Sequence, residues 1–190
     1  MSLKHLILGL LSTKSQSGYD LNKTFQQSVE NFWTTDQSQI YRALYSMKKQ
    51  GWVEQEIIVQ DDHPDKKVYH LTSAGEQELM TWLKTPITRK EAPVREGWLG
   101  QLYFGHHLTN AELMQTLVVY IDDMQQEIDH LNQIKQLHFG ESPETMPRRR
   151  RLSMLTLEYG LHIMEATKAW MQQTHDEISN MDDVDTSNET

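Results

Sequence analysis

The chain is 190 residues long, with a formal net charge of −9, 37% hydrophobic and 24% charged residues, and no cysteine. That length holds one medium domain or two small ones, and the apolar content supplies an ordinary core. The lack of cysteine excludes a disulfide framework, a thiol nucleophile and thiolate metal sites, and it agrees with a reducing cytoplasm.

The first stretch, M-S-L-K-H-L-I-L-G-L-L, has an apolar run of only about seven residues and no small-residue cleavage pattern, far short of the roughly 20 needed to span a bilayer. No membrane partner is expected. The run reads as a buried helix over residues 3–12, with Leu3, Leu6, Ile7, Leu10 and Leu11 on one face. Two short amphipathic helices follow. One covers 18–28 and opens with Ser17 three residues before Asp20; the other covers 36–50 and opens with Thr34 three residues before Gln37. In each pair the first side chain can accept from a free N–H of the first turn, and the second can reach back toward the cap. Gly51 ends the later helix. Its inward stripe is Ile40, Ala43, Leu44 and Met47, which leaves Gln37, Ser38, Gln39, Tyr41, Arg42, Tyr45 and Lys49 on the outer faces.

Strands are expected over 52–59 and 66–71. The Q-D-D-H-P-D between them is too long for a tight two-residue hairpin and suits a wing. Ser73 and Glu76 make another capping pair, opening a helix through Leu79, Trp82 and Leu83 that stops before Pro86. Residues 85–93 carry two prolines and no periodicity, so they read as a linker.

The second half is helical. A short helix is expected over 94–107. Thr109 and Glu112 then form a capping box for a long helix to about residue 138, with Leu117, Ile121, Met124, Ile128 and Leu131 along one side. The last helix, 149–178, has two apolar stripes: Leu152, Leu155, Tyr159, His162, Ala166 and Trp170 on one side, and Met154, Leu157, Leu161, Met164 and Met171 on the other. A helix that is apolar on two sides needs partners on two sides, and a second copy of the chain is the expected source. The closing stretch, 180–190, holds four acids and no base and is expected to be a disordered tail.

The expected architecture is therefore mainly α with a small β-hairpin wing. It has a winged helix-turn-helix domain over 1–85, an antiparallel helical dimerisation domain over 86–178, and an acidic tail over 179–190. A winged helix-turn-helix places its second helix in the major groove of DNA. Net charge argues against this reading, because phosphate contacts need Lys and Arg. Residues 1–85, however, hold nine basic against ten acidic residues, while the remainder holds nine against seventeen. The negative charge belongs to the second half, and binding potential is local. On the outer face of the helix over 36–50, Gln39 and Arg42 suit adenine and guanine edges, since each can make two parallel hydrogen bonds.

The opening S-L-K-H-L-I-L-G-L-L, the S-G-Y-D-L motif, the F-W before the third helix, the S-Q-I-Y-R-A-L within it and the K-K-V-Y-H-L-T-S-A-G of the wing together resemble the PadR family. The second half is similar to the family's longer subgroup, which carries a C-terminal helical dimerisation domain. The resemblance implies a homodimer on a two-fold-symmetric operator, often a repressor released by a small aromatic ligand such as a phenolic acid. It implies a DNA-backbone role for Tyr19, puts Ser38, Gln39, Tyr41 and Arg42 on the recognition helix, and puts Lys66 and Lys67 on the wing. Asp61, Asp62 and Asp65 at the wing tip depart from a strongly basic wing. The family's effector pocket would lie near Trp33, Trp98 and Trp170. An aromatic acid needs flat apolar walls and a cation, for which Arg95, one turn from Trp98, is the candidate, with His162 beside Trp170.

Other features read more plainly. The run Arg148–Arg151 opposes the dipole of the helix it begins. It reads as a solvated helix start or a partner for acids of the neighbouring long helix, with acids across the dimer or phosphate as the alternatives that would offset the cost. His106 and His107 are adjacent and no His-x₃-His spacing completes a site, so no metal is expected. There is no nucleophile elbow and no phosphate-cradling glycine loop, so neither an enzyme nor a cofactor is expected. The rival class is a winged-helix module that docks a protein partner and never touches DNA.

Overall fold

A computed structural model describes residues 3–29, 32–59, 66–88, 96–140 and 142–183. The chain divides into two compact units, Met1–Val94 and Arg95–Thr190. The first runs α1 (Leu3–Leu11), β1 (Gln16–Ser17), α2 (Gly18–Ser28), α3 (Gln37–Lys49), β2 (Val53–Ile58), β3 (Lys66–Leu71) and α4 (Ser73–Lys84).

The caps follow the anticipated chemistry, at shifted positions in two of three cases. Ser17 Oγ accepts from the Asp20 N–H at 3.1 Å, as its spacing predicts. Helix α3 is capped by Asp36 and not by Thr34: the Asp36 carboxylate accepts from the Gln39 N–H at 2.8 Å. An anion at a helix N-terminus gains from the macrodipole as well as the hydrogen bond. At α4 the cap is Thr72, one residue before the expected Ser73. Its Oγ1 accepts from the Gly75 N–H at 3.1 Å and donates to the Gly51 carbonyl at 2.6 Å. Strand β3 runs to Leu71, so Thr72 is the first residue free to act. Gly51 ends α3 with φ 72°, a left-handed backbone that suits glycine.

The sheet has the order β1-β3-β2 and is antiparallel throughout, with β2 and β3 in register from Val53↔Leu71 to Ile58↔Lys66. Its third strand, β1, pairs Gln16 with Tyr69 and Ser17 with Val68. It lay hidden in the sequence because two residues carry no alternation. The core joins Ile7, Leu8 and Leu11 of α1 to Leu21 and Phe25 of α2, Ile40, Leu44 and Met47 of α3, Val53, Tyr69 and Leu79. Leu8 is fully buried, whereas Leu3, Leu6 and Leu10, expected on the buried face, pack at its margin. The wing tip at 60–65 and most of the linker lie outside the described residues.

The second unit comprises α5 (Gly97–Tyr103), a 3₁₀ turn (Gly105–His107), α6 (Asn110–Phe139) and α7 (Arg148–Ser179). The expected helix over 94–107 is thus shorter and broken, with glycine at 97, 100 and 105 working against continuity. The Thr109–Glu112 capping box is present in both directions. Helices α6 and α7 form an antiparallel pair: Lys135 meets Glu158 at 2.8 Å, and farther along Lys168 donates to Gln125. Between them are buried Ile128, Leu131, Leu157 and Leu161.

Only one of the two α7 stripes is spent on this packing. Met154, Leu157, Leu161 and Met171 are buried, while Leu152, Leu155, Tyr159, Ile163 and Trp170 are exposed. Among the described residues, the arginine run at the start of α7 meets the end of α6 through Arg150. Arg150 Nε donates to the carbonyl of His138 at 3.0 Å, placing a cation at the negative end of α6. At the other end, Asn110 donates from its N–H to Asp183 and from its side chain to the Met181 carbonyl, both at 2.9 Å. The start of the expected acidic tail is thereby tied to the first turn of α6; residues 184–190 lie outside the described residues. No helix among the described residues is long and apolar enough to cross a membrane.

Candidate nucleic-acid interface

Helix α3 presents Ser38, Gln39, Tyr41, Arg42 and Tyr45 to solvent, opposite its Ile40, Leu44 and Met47 stripe. The first turn is knit together by its cap. Ser38 Oγ donates to Asp36 at 2.5 Å, Arg42 donates to Ser38 Oγ at 3.3 Å, and Thr35 Oγ1 donates to the Gln39 side chain at 3.0 Å. The Ser38 hydroxyl, followed by the Gln39 N–H, holds the Asp36 carboxyl below the ordinary range. Asp36 therefore stays ionised at neutral pH and fixes the end of the helix that carries Gln39 and Arg42. Sequence spacing did not single it out, although an acid one residue before a helix is a recognisable signal.

The two aromatic residues of this face differ. Tyr45 is 62% exposed, with Lys49 Nζ 4.6 Å over its ring. Tyr41 lies against α2: a Cβ at Gly18 would stand 2.4 Å from Tyr41 Cε1. The glycine of the S-G-Y-D motif thus marks the close approach of α3, and Tyr41 sets the spacing of the two helices while its edge remains accessible. Tyr19, the next residue, is 67% exposed.

On the wing, Lys66 and Lys67 are exposed at the start of β3. Lys66 is already paired, with Nζ 2.9 Å from the Asp20 carboxylate. Lys66 first and the Ser17 hydroxyl next hold the Asp20 carboxyl below its usual value. This bridge ties the S-G-Y-D helix to the wing and has no counterpart in sequence spacing.

The expected effector residues belong to both units. Trp33 packs against the first unit's core and Arg95 lies outside the described residues. Trp98 and Trp170 come together in the second unit, ring centroids 5.7 Å apart, and the Tyr120 ring lies 6.5 Å from Trp98. A mostly apolar cavity of about 270 Å³ opens beside them, lined by Trp98, Leu102, Phe104, His107, Leu117 and Tyr120 among others. Phe104, His107 and Tyr120 were not anticipated, because their convergence depends on how α5 and the 3₁₀ turn sit on α6. His162 is exposed and its Nδ1–H donates to the Glu158 carbonyl one turn back at 2.7 Å.

Residues 7–81 match the transcriptional regulator PadR-like family, and residues 94–179 match the virulence activator alpha C-terminal family. The negative transcriptional regulator PadR of Bacillus subtilis (strain 168) is 30% identical over 169 residues, covering 88% of this chain and 87% of that protein. A probable transcriptional regulator of Mycobacterium tuberculosis, Rv1176c, is 39% identical over 97 residues; that match takes in 51% of this chain and about half, 49%, of the relative's length. Among solved structures, B. subtilis PadR in complex with operator DNA superposes with a TM-score of 0.79 at 26% identity, over 93% of this chain and 98% of that one. The same protein in complex with p-coumaric acid shares the fold, with a TM-score of 0.75 at 24% identity over 94% and 99% of the two chains. The winged unit, the helical second unit and a relative alike across most of both lengths agree: this chain belongs to the PadR-like family of transcriptional regulators, whose members are not enzymes.

Proposed function

We propose that the protein is a homodimeric, sequence-specific repressor that binds a two-fold-symmetric operator through α3 and works in the cytoplasm. The observation that carries this reading is the capped, solvent-facing first half of α3, where Asp36 and Ser38 hold Gln39 and Arg42 at the exposed surface. Gln39 and Arg42 read base edges, Tyr19 and the wing residues Lys66 and Lys67 meet the backbone, and Ser38 and Tyr41 hold the reading geometry. The unspent stripe of α7 supports dimerisation, since Leu152, Leu155, Tyr159 and Ile163 are left facing water along one helix. Two half-sites on one face of the duplex then lie about 34–36 Å apart.

A small aromatic acid releases the operator by favouring a dimer whose recognition helices are wrongly spaced. The Trp98, Trp170 and Tyr120 cluster and its adjoining cavity suit a flat ring. The ligand must bind the misaligned state better, and about 1.4 kcal/mol of preference is a tenfold loss of operator affinity.

The test is a gel-shift titration on duplexes selected from a random pool. Gln39→Ala and Arg42→Ala should each cost about 1–3 kcal/mol on the selected site and relax preference at one base pair. Titrating p-coumarate should quench tryptophan fluorescence and release the duplex together. A protein that selects no sequence refutes the regulator reading in favour of a protein-docking winged helix. One that binds DNA yet ignores p-coumarate at millimolar concentration refutes the phenolic signal alone.

A further inference from the structure

Outside the reading face, the first unit carries a groove of about 310 Å³ between the α1–β1 connection, the outer side of α2 and strand β3. Its charged lining is Lys14, Lys23, Lys66 and Asp20, with Thr24 and Gln27 among the neutral groups. Three cations face one anion, in a chain whose total charge is −9. The anion is already committed, because Asp20 accepts from the Ser17 hydroxyl at 2.8 Å and pairs with Lys66 at 2.9 Å. Among the described residues, neither Lys14 nor Lys23 forms an ion pair. A groove walled by unneutralised ammonium groups concentrates anions, and lysine serves phosphate as a point charge that needs no fixed geometry.

The position of the groove selects the source of that anion. Asp20, which Lys66 pairs with, stands two residues after Gly18 on α2, and Tyr41 of the reading helix is packed against Gly18. Tyr19, the residue between, is exposed. The groove therefore adjoins the edge of the face that enters the major groove, and a phosphodiester strand borders a groove only about 12 Å wide. We infer that Lys14, Lys23 and Lys66 form a phosphate-binding groove for the DNA backbone flanking the bases read by α3, with Asp20 competing for Lys66. This rests on the DNA-binding reading and adds residues to it from the α1–β1 connection and the outer side of α2. In the free protein Asp20 occupies one ammonium; on the duplex a phosphate oxygen shares or replaces it, so that Asp20 weakens the backbone contact on every sequence alike.

The experiment measures affinity of the full chain for a selected duplex and a scrambled one across a salt series. Lys14→Ala/Lys23→Ala should flatten the slope of log K against log salt by about one to two units, at roughly 0.9 per phosphate contact, on both duplexes alike. Preference for the selected duplex should persist. Asp20→Asn should move the other way, tightening both duplexes and leaving the ratio between them unchanged. Circular dichroism melting confirms that both variants fold, and their opposite signs separate a lost contact from a damaged domain. An unchanged slope in the lysine variant, with the wild type binding normally, overturns this inference alone. A wild type that binds neither duplex overturns both it and the regulator reading. Inorganic phosphate is the remaining arm: at constant ionic strength it should compete no better than sulfate. Saturable competition by phosphate alone assigns the groove to a free anion and overturns the backbone source.

Discussion

Gly75 closes the T-S-A-G sequence at the end of the wing, within the first turn of α4. Helix propensity alone predicts that Gly75→Ala stabilises the protein, by about 0.8–1.0 kcal/mol. The packing predicts the reverse. A Cβ at Gly75 would stand 2.1 Å from the Trp52 carbonyl oxygen, 2.9 Å from Trp52 C and 2.8 Å from Leu71 Cδ1. Real Cβ contacts are essentially never under 3.0 Å, so backbone must separate from backbone by about 0.9 Å. The carbonyl has little freedom to retreat. It accepts from the Thr72 N–H at 3.1 Å, and the Trp52 N–H is held by the Met47 carbonyl at 3.0 Å. Overpacking costs about 1–3 kcal/mol, and loss of the Thr72 bond adds about 0.5–1.5 kcal/mol. After the propensity gain, a net loss of about 0.5–3.5 kcal/mol remains. Hydrogen exchange through a urea series reads this unit by unit: protection should fall across residues 3–29 and 66–88, with peptides from 110–139 as the internal control. Unchanged or raised protection in the first unit would refute the packing argument and leave propensity in charge.

Three further outcomes follow from the second unit. The Thr109 N–H first, and its hydroxyl next, hold the Glu112 carboxyl below the ordinary 4.5. Its contribution is therefore fully present above the unfolded value and is lost as pH falls through the lowered one; Glu112→Gln, which keeps an acceptor, should flatten that part of the acid limb in thermal melts. Arg150→Ala should destabilise the α6–α7 pair by about 0.5–1.5 kcal/mol through the His138 carbonyl it leaves, whereas Arg149→Ala, on an exposed side chain, should stay within about 0.5 kcal/mol by chemical denaturation. Leu155→Asp on the exposed α7 stripe should give a folded monomer by sedimentation while the wild type sediments as a dimer; a variant that remains dimeric would show that another face makes the interface.

Much of the fold was legible because it rests on local rules. The span of α2, the Thr109–Glu112 box, the buried stripe of α3 and the existence of two apolar stripes on α7 all follow from residues within a few positions of each other. The position of a cap is also local, yet it was misplaced at α3 and α4, where two residues one or two positions apart could each serve. There the choice lay with Asp36, an anion, and with Thr72, freed by the end of β3 and bonded across to Gly51. The polar face of α3 was likewise plain in sequence, down to Ser38, Gln39, Tyr41 and Arg42.

What sequence could not convey is anything that depends on elements meeting. Strand β1 exists because Gln16 and Ser17 pair with Val68 and Tyr69, some fifty residues away. Tyr41 leans on α2 because the residue it meets is Gly18, and Lys66 is held because β3 brings it to Asp20. Arg150 finds its acceptor only when the α6–α7 hairpin closes. Lys14, Lys23 and Lys66 are scattered in the chain and become one groove only through the pairing of β1 with β3. Periodicity and capping are short-range, so they specify each helix and the face it buries. Distances between charges on different elements are set by packing, and only the tertiary structure decides them.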